Sequence, residues 1–267
     1  MRFGVLLIVV IIIASCKKEY PNVQTQVLGH AGESIIKSRS KYPPNTVESV
    51  KRALELGANG VEIDVQMTAD GYLLAYHDAS LDENSTGTGC INSQTYTDIQ
   101  DISIYNSDTK IQLLKEISDF VLHQYKPLLL DIKHYNDCSE STIDFSQFNA
   151  SLNNLLSSYT DDQKALVTVN CRNQYIFNYL TDTLISKSLE SDDFAFALPV
   201  IKNKGLDMLT IKLDAMRQEI KDSLTANHIS LSIYNVKTRG EVYKSLEFDP
   251  EFVISDNIEC TIKAIDG

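Results

Sequence analysis

The sequence predicts an α/β fold closed as a (β/α)8 TIM barrel with a small hairpin insertion after strand two. Three observations carry this. Short apolar runs of strand character alternate with segments of helical spacing, the pattern of parallel strands joined by helical crossovers. Eight such strands occur in order, and eight favour closure over an open sheet. At 267 residues, 43% hydrophobic and 22% charged, the chain is long enough for one large domain and lacks the composition of disorder. No glycine-rich dinucleotide fingerprint follows the first strand.

Residues 1–15 stand outside this fold. Arg2 precedes an unbroken apolar run, Val5 to Ala14, too short to span a bilayer and suited to the core of a signal peptide. The run ends at Ile13-Ala14-Ser15 before Cys16, with Lys17 and Lys18 following. This resembles the lipobox of bacterial lipoproteins, which implies cleavage before Cys16 and its lipidation. The plain alternative is an ordinary secretory signal. Residues 16–25 would then be a lipidated tether and 26–267 the barrel. The expected location is the bacterial cell envelope, extracytoplasmic and lipid-anchored.

The elements follow in order. Gln26 to Gly29 is strand one and delivers His30. Asn45-Thr46 caps a helix running to Leu56, which Gly57 ends. Gly60 to Val65 is strand two, and the Asp70-Gly71 turn folds Tyr72 to Tyr76 back as the hairpin. Ile111 to Tyr125 is helical, and Pro127 to Lys133 is strand three. Phe148 to Tyr159 is helical and Ala165 to Val169 is strand four. Arg172 to Leu184 is expected as a helix, Phe194 to Ala197 as strand five, and Leu198 to Lys204 as a brief crossover. Met208 to Lys212, Ile229 to Ile233 and Phe252 to Ile254 complete the strands, with helices over Asp214 to Ala226, Arg239 to Phe248 and up to Ile265.

Chemistry concentrates early. In Val61-Glu62-Ile63-Asp64-Val65 the period of two turns Glu62 and Asp64 to one face. Adjacent carboxylates repel, and a hard divalent cation relieves them; a solvent-facing acidic edge is the bland alternative. The hairpin brings His77 back toward them, and an imidazole there can transfer protons near neutral pH. His30, Asp131 and Lys133 also end strands, and barrel strand ends gather at one mouth. His123 and His228 read as structural, His134 as non-catalytic, and Arg172 as a candidate substrate contact.

Composition excludes some partners. The formal charge is −12, without a basic stripe, so nucleic acid is not expected. Cys90, Cys138, Cys171 and Cys260 lack zinc-site spacing. Cys90 and Cys138 lie in loops after successive strands, and either a bridge between them or free thiols fit an envelope compartment.

Taken together, the chain resembles the glycerophosphodiester phosphodiesterase family. The resemblance is carried by Gly29-His30, Pro44-Asn45-Thr46, Ala53 to Ala58, Val61 to Val65, Thr68 with Asp70-Gly71, His77-Asp78, Leu81-Asp82, Thr86 to Gly89, Asp131-Ile132-Lys133 and Ile254-Ser255-Asp256. It is dense over residues 27–133 and thinner beyond. It implies hydrolysis of small glycerophosphodiesters to glycerol phosphate and an alcohol. Glu62, Asp64 and Asp131 would bind one divalent ion, Ca2+ or Mg2+. His30 and His77 would be general base and general acid, and Lys133 would steady phosphate oxygens. The substrate's own glycerol hydroxyl would attack first, giving a cyclic phosphate that water opens.

Three departures stand out. The family's His-Arg-Gly is His30-Ala31-Gly32 here, so a phosphate-contacting arginine is missing; one of Lys37, Arg39 and Lys41 is expected to restore the charge. Asp131 replaces a glutamate. No tryptophan is present, and the usual late-barrel Trp gives way near Ile233-Tyr234-Asn235. The alternative functions are a catalytically weak or silent phosphodiester-binding lipoprotein, or a phosphodiesterase with altered substrate because of Ala31. Head group, metal and oligomeric state are left open by the sequence.

Overall fold

The computed structural model describes residues 25–36, 41–104, 107–136 and 141–265. The chain runs through β1 (Gln26–His30), α1 (Val47–Glu55), β2 (Gly60–Met67), β3 (Leu73–Ala75), α2 (Tyr96–Ile99), β4 (Gln112–Leu113) and α3 (Leu114–Leu122). It continues through β5 (Leu128–Ile132), the small pair β6 (Tyr135–Asn136) and β7 (Ser141–Thr142), α4 (Phe145–Leu156), α5 (Asp161–Lys164) and β8 (Val167–Cys171). The last part holds β9 (Ser186–Glu190), α6 (Phe194–Lys204), β10 (Met208–Lys212), α7 (Gln218–Ala226), β11 (Ser230–Val236), α8 (Arg239–Leu246), β12 (Phe252–Ser255) and α9 (Ile258–Ile265).

Eight strands, β1, β2, β5, β8, β9, β10, β11 and β12, pair in parallel, and β1 bonds both β12 and β2, which closes the ring. Strand periodicity divides their side chains. Val61, Ile63, Leu128, Leu130, Val167, Val169, Leu209 and Ile211 face outward into a continuous core shared with the helices, where Phe148 is fully buried. Leu28, Leu129, Met208, Phe252 and Ile254 form a second apolar cluster inside the ring. Burying two apolar layers is the main stabilising term for such a domain. Among the described residues no helix is long and apolar enough to cross a membrane.

Two details correct the sequence reading. Strand five is Ser186–Glu190, and Phe194-Ala195-Phe196-Ala197 opens a helix instead. Asp193 decides this, because its side chain accepts the Phe196 N–H at 3.1 Å and so caps the first turn. The expected helix from Arg172 to Leu184 is only a 3-10 turn, Ile176–Asn178, amid irregular chain. Ser186–Glu190 escapes detection because its inward residues, Ser188 and Glu190, are polar and buried, so apolar alternation is absent.

The insertion after β2 is also more than a hairpin. β3 pairs antiparallel with β2, β4 pairs with β3, and Leu74, Tyr76, Leu81, Ile91, Ile99, Ile104 and Ile111 build a core of their own beneath it. Cys90, within this insertion, is disulfide-bonded. Cys138, its expected partner, lies outside the described residues, while Cys171 and Cys260 are free thiols.

Candidate active site

The site begins with a turn. β1 ends at His30, and the chain must reverse at once to reach α1. A side chain on Gly29 would come within 2.1 Å of the Gly32 carbonyl oxygen, and one on Gly32, whose φ is +92°, would strike Ser49. Only glycine fits both places. Between them, buried Ala31 also adopts a left-handed φ of 54°, and its N–H donates to Glu62 Oε2 at 2.9 Å. The turn thereby binds the first strand end to the carboxylates of β2.

Parallel pairing then sets the charged groups side by side. His30 is in register with Glu62, and Asp64, Asp131 and Asn170 are in register across β2, β5 and β8. One oxygen each of Glu62, Asp64 and Asp131 lies within 4.8 Å of the others. Glu62 and Asp64 are buried, which excludes the solvent-facing acidic edge. The shorter arm of Asp131 still reaches the cluster. Lys133 Nζ bridges Asp64 at 2.8 Å and Asp131 at 2.5 Å. Asn45, itself at φ 59°, cradles Asp64: its amide nitrogen donates to Oδ2 at 2.8 Å and its oxygen accepts the Asp64 N–H at 3.0 Å.

Both predicted imidazoles face the same cavity, about 200 Å³ in volume, together with Glu62, Asp131 and Lys133. His30 Nδ1 pairs with Asp256 Oδ1 at 2.8 Å, and its Nε2 lies 3.9 Å from Glu62. His77, half-exposed after β3, pairs through Nδ1 with Asp78 at 2.7 Å. The remaining wall is Asn170, Arg172, Glu190, Thr210, Tyr234 and Ile254. A larger cavity of about 600 Å³ beside Tyr72, Leu113 and Asn154 on the outer flank gathers no comparable set of titratable groups.

The electrostatics follow from burial and crowding. Burial, then repulsion from Asp64, pushes the Glu62 carboxyl up to about 8. Burial opposes ionisation of Asp64 too, but Lys133 overrides it and holds that carboxyl down at about 2. Burial disfavours charge on His30, yet the Asp256 hydrogen bond and Glu62 raise it to about 9. His77 is raised by its bond to Asp78. The cluster is thus short of positive charge, and its donors are hard oxygens, so it fits a divalent cation.

Several residues lay beyond sequence reasoning. Asp256 stands in the sequence only as part of the Ile254-Ser255-Asp256 match, and Asn45 only as part of Pro44-Asn45-Thr46 and as a helix cap, whereas Thr46 alone caps α1. Asn170 and Glu190 gave no signal at all. Tyr234 does line the cavity, where the missing tryptophan was looked for, and Arg172 reaches it as expected. Lys41 does not: it is exposed, with its ammonium 5.4 Å over the Tyr42 ring. Lys37 and Arg39 lie outside the described residues, as does Cys16. His123 stacks edge-on with Tyr159 away from the mouth.

Known proteins agree with this architecture. The chain superposes on an Oleispira antarctica phosphodiesterase solved in complex with the product sn-glycerol-3-phosphate, with a TM-score of 0.78, 18% identity and coverage of 91% of this chain and 97% of that one. A Parabacteroides distasonis glycerophosphodiester phosphodiesterase gives 0.74, with 18% identity and coverage of 91% and 97%. In sequence, a glycerophosphodiester phosphodiesterase of Caldanaerobacter subterraneus is 40% identical over 78 residues, which are 29% of this chain and 30% of that protein. A probable glycerophosphodiester phosphodiesterase 1 of Mycobacterium tuberculosis is 30% identical over 121 residues, 40% of this chain and 42% of that protein. The matched segments therefore span less than half of these two relatives. The profile of the glycerophosphoryl diester phosphodiesterase family matches residues 38–260, most of the chain, and on that match the chain belongs to this family.

Proposed function

We propose that this chain hydrolyses glycerophosphodiesters to glycerol phosphate and an alcohol at the barrel mouth. The observation that carries the reading is that Glu62, Asp131, Lys133, His30 and His77 line a single cavity, with Asp64 clustered against the two carboxylates. Glu62, Asp64 and Asp131 would hold one divalent ion, Ca2+ or Mg2+. An ion held there would supply positive charge to neutralise phosphate oxygens. Lys133 fixes the two carboxylates it bridges and turns its ammonium to the same cavity.

The imidazoles move the protons. Asp256 and Asp78 each engage an Nδ1, so Nε2 is the atom each histidine offers to substrate. His30 takes the proton of the substrate's own glycerol hydroxyl as its oxygen bonds to phosphorus. His77 gives a proton to the departing alcohol as that P–O bond breaks. A cyclic phosphate results, and water opens it with the two roles exchanged.

The test is glycerol phosphate release from glycerophosphocholine and related diesters by protein from residue 20 onward. Release should vanish in chelator and in His30→Ala. Turnover that persists without metal would remove the carboxylate assignment, and no turnover under any metal would favour the silent, diester-binding alternative that Ala31 supports. The proposal extends to location: an apolar run ending at Cys16 supports lipid anchoring at the bacterial envelope. Cys16→Ser should move the protein from the membrane fraction to the soluble one, and unchanged fractionation would end that part.

A further inference from the structure

A phosphodiester is an anion, and a mouth lined by Glu62, Asp131 and Glu190 repels it unless cations reach its oxygens. Ala31 offers none. Among the described residues lining the cavity, two side chains are permanently cationic, Lys133 and Arg172. Lys133 is already clasped by Asp64 and Asp131. Arg172 differs. It follows β8, three strands around the ring from β1, and so stands across the mouth from His30. Its Nε donates to Glu190 Oε1 at 2.8 Å, and Nη2 donates to the same oxygen at 2.5 Å and to Tyr234 Oη at 3.2 Å. One edge of the fork is therefore fixed, while Nη1 has no hydrogen-bond partner among the described residues. The side chain is 62% exposed although its partner Glu190 is only 9% exposed. A guanidinium held through Nε and both hydrogens of Nη2, with the two N–H groups of Nη1 left open, is preorganised to donate charge-assisted hydrogen bonds to an anion.

We infer that Arg172 is the substrate-binding guanidinium of this protein, contacting the non-bridging phosphate oxygens from the side of the mouth opposite His30, with Glu190 and Tyr234 setting its orientation. This rests on the phosphodiesterase reading but is tested apart from it. Binding of sn-glycerol 3-phosphate and of inorganic phosphate is measured by calorimetry, and KM and kcat are measured with glycerophosphocholine. In Arg172→Ala, Kd and KM should rise about 10- to 100-fold, the range of a lost charge-assisted contact, with a smaller change in kcat. Arg172→Lys should recover only part. Because Arg172→Ala also strips Glu190 of its partner, the decisive variant is Arg172→Ala with Glu190→Gln, with folding checked by its thermal midpoint. It should bind as weakly as Arg172→Ala. Wild-type affinity in that double variant, or unchanged Kd in Arg172→Ala, would overturn the inference. Loss of turnover in His30→Ala alongside either result would leave the phosphodiesterase reading intact, and an inactive wild type would still report Arg172 through binding.

Discussion

Asp256→Asn tests how the distal end of the barrel sets up the first strand's histidine. The substitution keeps the shape of the side chain and a hydrogen-bond acceptor, but removes the charge 2.8 Å from His30 Nδ1. In the metal-free chain His30 rises from 6.5 to about 9 against the effect of burial, with the Asp256 hydrogen bond the largest contribution in the raising direction. That rise corresponds to about 3 kcal/mol of preference for the imidazolium, and the ring is 22% exposed, so solvent screens little of it. In Asp256→Asn the His30 pKa should fall by roughly one to two pH units. It is read from a pH titration of the imidazole resonances in chelator-treated protein, assigned with His30→Gln. Turnover should fall about 100-fold in kcat, the scale of a misplaced general base, while KM stays near wild type because Asp256 does not line the cavity. An unmoved His30 titration, or an unmoved kcat, would refute the claim that Asp256 positions and charges this ring.

The other predictions concern the carboxylate cluster and the frame around it. Asn45→Ala removes both hydrogen bonds that cradle Asp64; stability should drop by about 1–3 kcal/mol in urea, and divalent-ion affinity should fall about 10- to 100-fold by calorimetry. Raised His30 and Glu62 both keep protons in the metal-free fold that the unfolded chain releases. The metal-free melting temperature should therefore decline as pH rises through the window from about 5 to 9, His30 contributing above its unfolded value and Glu62 from lower pH. Saturating Ca2+ or Mg2+ at pH 8 should raise that temperature by about 5–10 °C; a flat profile, or no response to either ion, would count against the cluster as an ion site. Asp193→Ala should cost about 1 kcal/mol through its lost cap on α6, and no loss would mean that this cap does not decide helix over strand at Phe194.

How far the sequence could be read depended on where each polar residue sits. Glu62 and Asp64 were legible because outward neighbours Val61, Ile63 and Val65 are apolar and buried, which fixes both period and face. Asp131 and Lys133 were legible because they close an apolar run. Glu190 was hidden by the same physics in reverse: its strand carries Ser186 and Ser188 on the inward side, and its outward Leu189 is too little to show a period. Phe194-Ala195-Phe196-Ala197 then imitated a strand, since alternation over four residues fits either state when an N-cap precedes it.

Asp256 and Asn45 mark a different boundary. Both act on groups that the sequence did expose, yet their meaning comes from ring closure. Asp256 lies 226 positions from His30 and meets it only because β12 pairs with β1, Gly29 in register with Ser255. Asn45 reaches Asp64 because its own N–H donates to the Ala31 carbonyl oxygen at 2.9 Å, which ties it to the turn that ends β1. Ala31 belongs to the same turn: buried, left-handed and with its amide committed to Glu62, it serves the carboxylate side of the site. A sequence comparison at that position registers only a lost arginine. The barrel places Arg172, from a different strand end, in the same cavity, and on the inference drawn above it is this guanidinium that meets the substrate.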